Sequence, residues 1–119
     1  MNVAVIGASD KPDRYSYQAV MLLKEKGHTV FLVHPRITEI SGMKVYPSIE
    51  EIPEGIDTVS MYVAADTSSA MGEEIIKKSP QRIIFNPGAE NKILSKQAQS
   101  KGIKTMDACT LVLLRTNKF

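Results

Sequence analysis

The sequence predicts an α/β fold built on a doubly wound parallel sheet, and three observations carry that expectation. Strand-like apolar runs alternate with helix-like segments along the whole chain. The runs are apolar at consecutive positions rather than at every second one, as strands covered on both faces require. Each of the three longer helical segments closes at a glycine or a proline before the next run begins, and this gives the crossovers that parallel strands need.

Residues 2–6 are an apolar, largely β-branched run that stops at Gly7, and residues 17–26 place Ala19, Val20, Leu22 and Leu23 at helical spacing. Gly27 and His28 close that helix, and residues 29–33 form a second strand. Residues 42–52 read as a crossover. It holds a short extended piece, Lys44-Val45-Tyr46, then Pro47, then Ser48 placed to cap one helical turn. Residues 57–63 are the third strand, followed by a helix near 67–78 that Pro80 ends. Residues 82–85 are a fourth strand, 91–101 a helix ending at Gly102, and 104–106 a short fifth strand before an apolar turn at 110–114. Right-handed crossovers then give a Rossmann-like, five-stranded parallel sheet in the order 3-2-1-4-5, with helices on both faces.

At 119 residues and 43% hydrophobic content, the chain fits one domain, residues 1–119, with a core that needs neither disulfides nor a structural metal. A net charge of +2 with 24% charged residues is far from the basic excess of a nucleic-acid binder. Cys109 is the single cysteine, so an internal disulfide and a cysteine-rich zinc cluster are both excluded, and a reducing cytoplasm is the expected setting. No basic segment precedes the first apolar run and no run approaches a membrane span, so neither export nor membrane insertion is expected. The expected partner is a small-molecule ligand, with a protein partner left open.

In doubly wound sheets, ligands sit outside the carboxyl ends of the strands, where the winding reverses. The segments there are 7–15, 34–36, 63–67 and 86–90. The first offers what a phosphate requires: Gly7 for a tight turn, small Ala8, a hydroxyl on Ser9, and Lys11 and Arg14 near a helix N-terminus. A solvated turn accounts for the same residues equally well. The full GxGxxG pattern is missing, and the second strand ends in Val33-His34-Pro35-Arg36 with no acidic residue for an adenosine ribose, which disfavours NAD. Arg36 suits a phosphate on that ribose, leaving the 2′-phosphate of NADP and the 3′-phosphate of coenzyme A tied. A Walker-type loop is absent.

The chain resembles the small CoA-binding proteins that look like the N-terminal domain of the succinyl-CoA synthetase alpha subunit. The residues that carry the resemblance are Val5-Ile6-Gly7-Ala8-Ser9, Arg14-Tyr15-Ser16, Leu23 with Gly27-His28-Thr29-Val30, Val33-His34-Pro35, Gly42 with Val45-Tyr46-Pro47-Ser48, Ile56-Asp57 and Asp107-Ala108-Cys109-Thr110. The resemblance implies that Gly7, Ala8 and Ser9 touch the CoA diphosphate, that Arg14 and Tyr15 lie beside it, and that Pro35 and Val63 border the adenine. Arg36 or Lys44 is then the expected partner of the 3′-phosphate. With Lys11 from the loop and Asn86 and Gly88 from the turn after the fourth strand, this completes the expected cofactor-binding set. Two loops depart from the common pattern: His34-Pro35 stands where many relatives have Asn-Pro, and Asn86-Pro87-Gly88-Ala89 replaces a Gln-containing glycine turn. The synthetase's second domain, with its phosphorylated histidine, has no counterpart here, so ligase activity is not implied.

No self-contained catalytic constellation is evident. His34 faces the crevice without a carboxylate or nucleophile near it in sequence, so a polar contact is favoured over acid–base work. Cys109 opens an apolar turn and reads as packing, although exposure at a helix N-terminus would activate its thiol. The pairs Glu50-Glu51 and Glu73-Glu74 read as solvated helix faces, His28 as a solvated turn residue, and no metal set is expected. The competing readings are an NADP-dependent or acyl-transferring enzyme subunit using His34 or Cys109, and a ligand-free interaction module.

Overall fold

The computed structural model describes all residues, 1–119. Seven strands are present: β1 (Asn2–Ile6), β2 (Thr29–Val33), β3 (Glu39–Ile40), β4 (Met43–Tyr46), β5 (Thr58–Met61), β6 (Arg82–Phe85) and β7 (Lys104–Asp107). They form one sheet in the order β3-β4-β2-β1-β5-β6-β7, parallel throughout except that β3 runs antiparallel to β4.

This corrects the expected five-stranded order. The piece at 44–46 is a strand, with Val45 and Tyr46 paired to Leu32 and Val33, and it occupies the place beside β2 that had been expected for residues 57–63. That third predicted strand, β5, pairs instead on the far side of β1, with Val3 opposite Thr58 and Ile6 opposite Met61. The cause is a hairpin. Ile40 pairs with Met43 across a two-residue turn in which Ser41 (φ 48°) and Gly42 (φ 78°) are both left-handed. Such a turn matches the twist of its flanking strands and folds β3 back on β4.

The helices are α1 (Tyr15–Glu25), α2 (Ala65–Ala70), α3 (Gly72–Lys77), α4 (Lys92–Ser100) and α5 (Thr110–Arg115), with a 3-10 turn at Ile49–Glu51. The helix expected at 67–78 is thus two short ones broken at Met71, and α3 starts at Gly72, where an added Cβ would stand 3.1 Å from Leu94 Cδ1. Alternation along the strands divides the core. Val3, Val5 and Leu32 pack with Val20, Leu23 and Leu114 on the α1 and α5 face. Ala4, Ile6, Val59, Met61, Ile83 and Phe85 pack with Ile49, Ile75, Leu94 and Ala98 on the other. Complete burial of side chains such as Leu23, Ile83 and Phe85 contributes about 1.5–3 kcal/mol each.

Two polar details anchor this frame. Phe119 folds back beneath the sheet, with the Arg82 guanidinium 4.4 Å from its ring centre and the His28 ring 5.1 Å away at an edge-on angle. His28 is therefore partly buried rather than a solvated turn residue. Burial first, then the N-terminal ammonium and Arg82, hold its pKa below the ordinary value. At the start of α4, the Asn91 side-chain oxygen accepts from Leu94 N–H (3.0 Å), while its amide donates to Ser68 Oγ (2.8 Å) and Ser69 Oγ (2.9 Å) on α2. Asn91→Ala removes a helix cap and the α2–α4 tie together. It is expected to lower stability by roughly 2 kcal/mol in denaturant melts, where a cap alone is worth about 1.

Candidate functional site

A cleft of about 650 Å³ opens across the carboxyl ends of β1, β2, β4 and β5, at the point where the winding reverses. Its first wall is the loop between β1 and α1. Gly7 sits at φ +89°, and a Cβ there would meet Val63 Cγ1 at 3.0 Å and the Tyr62 carbonyl carbon at 3.2 Å. Conformation and space both demand glycine. The N–H groups of Gly7 and Ala8 converge on one acceptor, Val33 O, at 3.1 and 3.2 Å, which ties the loop to the end of β2. Ser9 Oγ accepts from Lys11 N–H at 3.1 Å and so shapes the loop from within.

The groups left over face outward. The backbone N–H groups of Ser9 and Asp10 bond to no protein acceptor, nor do those of Tyr15, Ser16 and Tyr17 in the first turn of α1. The Arg14 N-cap supplies no side-chain cap to that turn. Uncapped N–H groups at the positive end of a helix dipole, beside a loop with two more, have the chemistry to hold an anion. Lys11 and Arg14 are exposed in the same wall, and the hydroxyl of buried Ser16 lines it too.

The second wall is His34, Pro35 and Ile37, after β2. His34 Nδ1 accepts from Arg36 N–H (3.0 Å) and Ile37 N–H (3.1 Å), closing a tight turn. The third is Pro47, Ser48 and Ile49. Ser48 was expected to cap the helical turn, but its hydroxyl makes no cap bond and lines the cleft. The fourth comprises Tyr62 and Val63 after β5, with Thr67, Met71 and Glu74 from the helices beyond. Burial is the main cause that pushes the Tyr62 phenol up to about 12, and its hydroxyl lies near Ser60 and Thr110 without bonding to either. Tyr62 therefore stays neutral. Burial and the neighbouring Glu50 carboxyl raise the pKa of Glu74.

Of the residues expected from sequence, Gly7, Ala8, Ser9, Lys11, Arg14, Tyr15, Pro35 and Val63 line this one cleft. Arg36 is exposed next to Pro35, outside the lining, and Lys44 stacks over the Tyr46 ring at 4.7 Å. Asn86 and Gly88 lie away from it. Asn86 is buried and structural: its amide donates to Met61 O (2.8 Å) and Ser60 Oγ (3.1 Å), and its oxygen accepts from Thr110 N–H (2.8 Å) at the start of α5. Gly88 N–H bonds to Glu90 Oε1 in an exposed turn. Cys109 is half-buried at the N-cap of α5, outside the cleft lining. Thr67 closes the expected segment 63–67 and lines the cleft, whereas sequence reasoning missed Tyr62, Pro47 and Ser48, together with Met71 and Glu74. The strand β4 was the signal for the middle pair, because its end delivers them.

A switch-point cleft beside a glycine loop and an uncapped helix start is the architecture of a Rossmann-like α/β domain. Residues 1–115 match the model of the CoA binding domain family, and the chain belongs to that family. It is 29% identical over 111 residues to the uncharacterized protein YneT of Bacillus subtilis, a match covering 92% of this chain and 82% of that one. It is 40% identical over 62 residues to the alpha subunit of the ADP-forming acetate-CoA ligase II of Pyrococcus furiosus, across 51% of this chain but only 14% of that subunit. Among solved structures, an uncharacterized protein superposes with a TM-score of 0.92 at 32% identity, covering 99% of this chain and 97% of its own. A PH1109 protein redesigned for binding also reaches 0.92, at 28% identity, over 99% of this chain and 84% of its own. No helix is long and apolar enough to cross a membrane.

Proposed function

We propose that this chain binds coenzyme A or a short acyl-CoA in the cleft, as a cytoplasmic binding protein with no catalytic group of its own. The observation that carries the reading is the set of backbone N–H groups at Ser9, Asp10, Tyr15 and Ser16, all without protein acceptors and all on residues that line one cleft. A diphosphate supplies the oxygens they lack, and Lys11 and Arg14 supply countercharge. Pro35 and Val63 give apolar surface for a purine, and about 650 Å³ is within the range of small-molecule pockets. Family membership favours CoA over NADP. Nothing favours the acyl-transfer reading, since Cys109 stands outside the cleft and His34 Nδ1 is already engaged by backbone.

Calorimetric titration with CoA, dephospho-CoA and NADPH tests the proposal. CoA is expected to bind at least roughly tenfold more tightly than dephospho-CoA, the size of one charge-assisted contact to the 3′-phosphate. Heat with NADPH alone would overturn the CoA reading, and silence with all three would leave the interaction module in its place.

A further inference from the structure

We infer that His34 is a positioning and specificity residue: its Nδ1 closes the turn after β2, which fixes its tautomer and leaves Nε2–H as a hydrogen-bond donor for an oxygen of the bound ligand. The inference rests on the CoA reading of the cleft. Two backbone N–H groups, of Arg36 at 3.0 Å and Ile37 at 3.1 Å, point at Nδ1. A nitrogen that accepts two such bonds carries no hydrogen, so in the neutral ring the proton sits on Nε2. Turning the ring over would put a C–H where both N–H groups need an acceptor, so chemistry dictates the orientation.

This is the geometry of an Asx turn, with an imidazole nitrogen doing the work of an asparagine oxygen. The turn holds Pro35 and Ile37 in the cleft wall, and His34 itself is half-buried there. Nε2 has no partner within the protein. While the turn stays closed, this group can only donate, and what suits it in a cleft whose β1–α1 loop is tied to the neighbouring Val33 is a phosphate or ribose oxygen.

Three substitutions separate the two roles. His34→Asn supplies both an acceptor for the turn and a donor; His34→Asp supplies the acceptor but a negative charge in place of the donor; His34→Ala supplies neither. Amide hydrogen exchange of Arg36 and Ile37, followed by NMR in the ligand-free proteins, reads the turn. Exchange is expected to stay slow in wild type, Asn and Asp and to accelerate at least roughly tenfold in Ala, with core amides such as Val5 unchanged. CoA affinity reads the donor. Ala and Asp are expected to lose roughly tenfold or more, and Asn to recover to within about threefold of wild type.

Equal exchange in Ala and wild type would overturn the turn-closing role. Equal CoA affinity of Asp and Asn would overturn the donor role, and this pair decides it even if the Ala variant fails to fold. A wild type that binds no CoA would bring down the CoA reading and the donor role together, while the exchange rates would still decide the turn by themselves.

Discussion

Replacing Gly7 by alanine is expected to lower the melting temperature by roughly 10 °C and to remove CoA binding, because one methyl group meets two independent obstacles. At φ +89° an L-residue pays about 1–2 kcal/mol for its backbone conformation alone. The Cβ then lies 3.0 Å from Val63 Cγ1 and 3.2 Å from the Tyr62 carbonyl carbon. The second of these is backbone at the end of β5, held to β1 by Tyr62 N–H on Ile6 O at 2.9 Å, and it has little room to retreat. Together these effects come to about 3 kcal/mol, hence the shift in a thermal melt. Relief requires the loop to move, and Gly7 and Ala8 N–H would then leave their shared acceptor, Val33 O. The free N–H groups of Ser9 and Asp10 would no longer converge with the start of α1. Losing two charge-assisted bonds weakens CoA roughly a hundredfold or more, and titration of the folded variant reads this directly. An alanine variant that melts with wild type and keeps its affinity would mean that the loop has room the geometry denies it.

The first strand, its loop and α1 were legible in the sequence because one local signal specifies them: a buried β-branched run, a glycine that must turn, and a helix whose apolar spacing is clear. The sheet order was not, and a single hairpin explains why. Residues 43–46 alternate in burial and are only four long, so they read as part of a crossover. The cue lay in Gly42, which takes a left-handed conformation readily, next to Ser41 in a two-residue turn between apolar Ile40 and Met43. Once β4 is a strand, it takes the position beside β2, and the segment at 58–61 must add on the other side of β1. The site moves with it. Tyr62 and Val63 come against Gly7, Pro47 and Ser48 become a wall, and the turn at 86–90 ends up one strand farther from the switch point than its expected order implied. The identity of His34 as a turn acceptor could not be read either, since sequence does not tell which ring nitrogen meets which backbone N–H.

Asn86 lets stability be separated from ligand binding. It is 2% exposed, and its side chain serves three partners on two elements: Met61 O at the end of β5, Ser60 Oγ within it, and Thr110 N–H at the start of α5. Ser60 Oγ in turn bonds Thr110 Oγ1 at 2.8 Å, so the amide completes a closed buried network. Asn86→Ala leaves the Thr110 N–H without a partner in a space screened from water, and takes from Met61 O one of its two donors, the other being the backbone N–H of residue 86 at 3.2 Å. The orphaned group costs about 1–3 kcal/mol. The expected loss is roughly 2–3 kcal/mol, read as a fall in the denaturation midpoint at unchanged slope. Its consequence for the ligand is the opposite of that at Gly7. No atom of Asn86 lines the cleft, and the Gly7 loop hangs on Val33 and the β1–β5 pairing rather than on α5. The folded fraction of Asn86→Ala should therefore bind CoA within about threefold of wild type, a difference below 1 kcal/mol. A tenfold loss of affinity with an unchanged midpoint would place Asn86 in the binding site, as the turn after the fourth predicted strand first suggested, and would mean that the cleft extends beyond β5 when it is occupied.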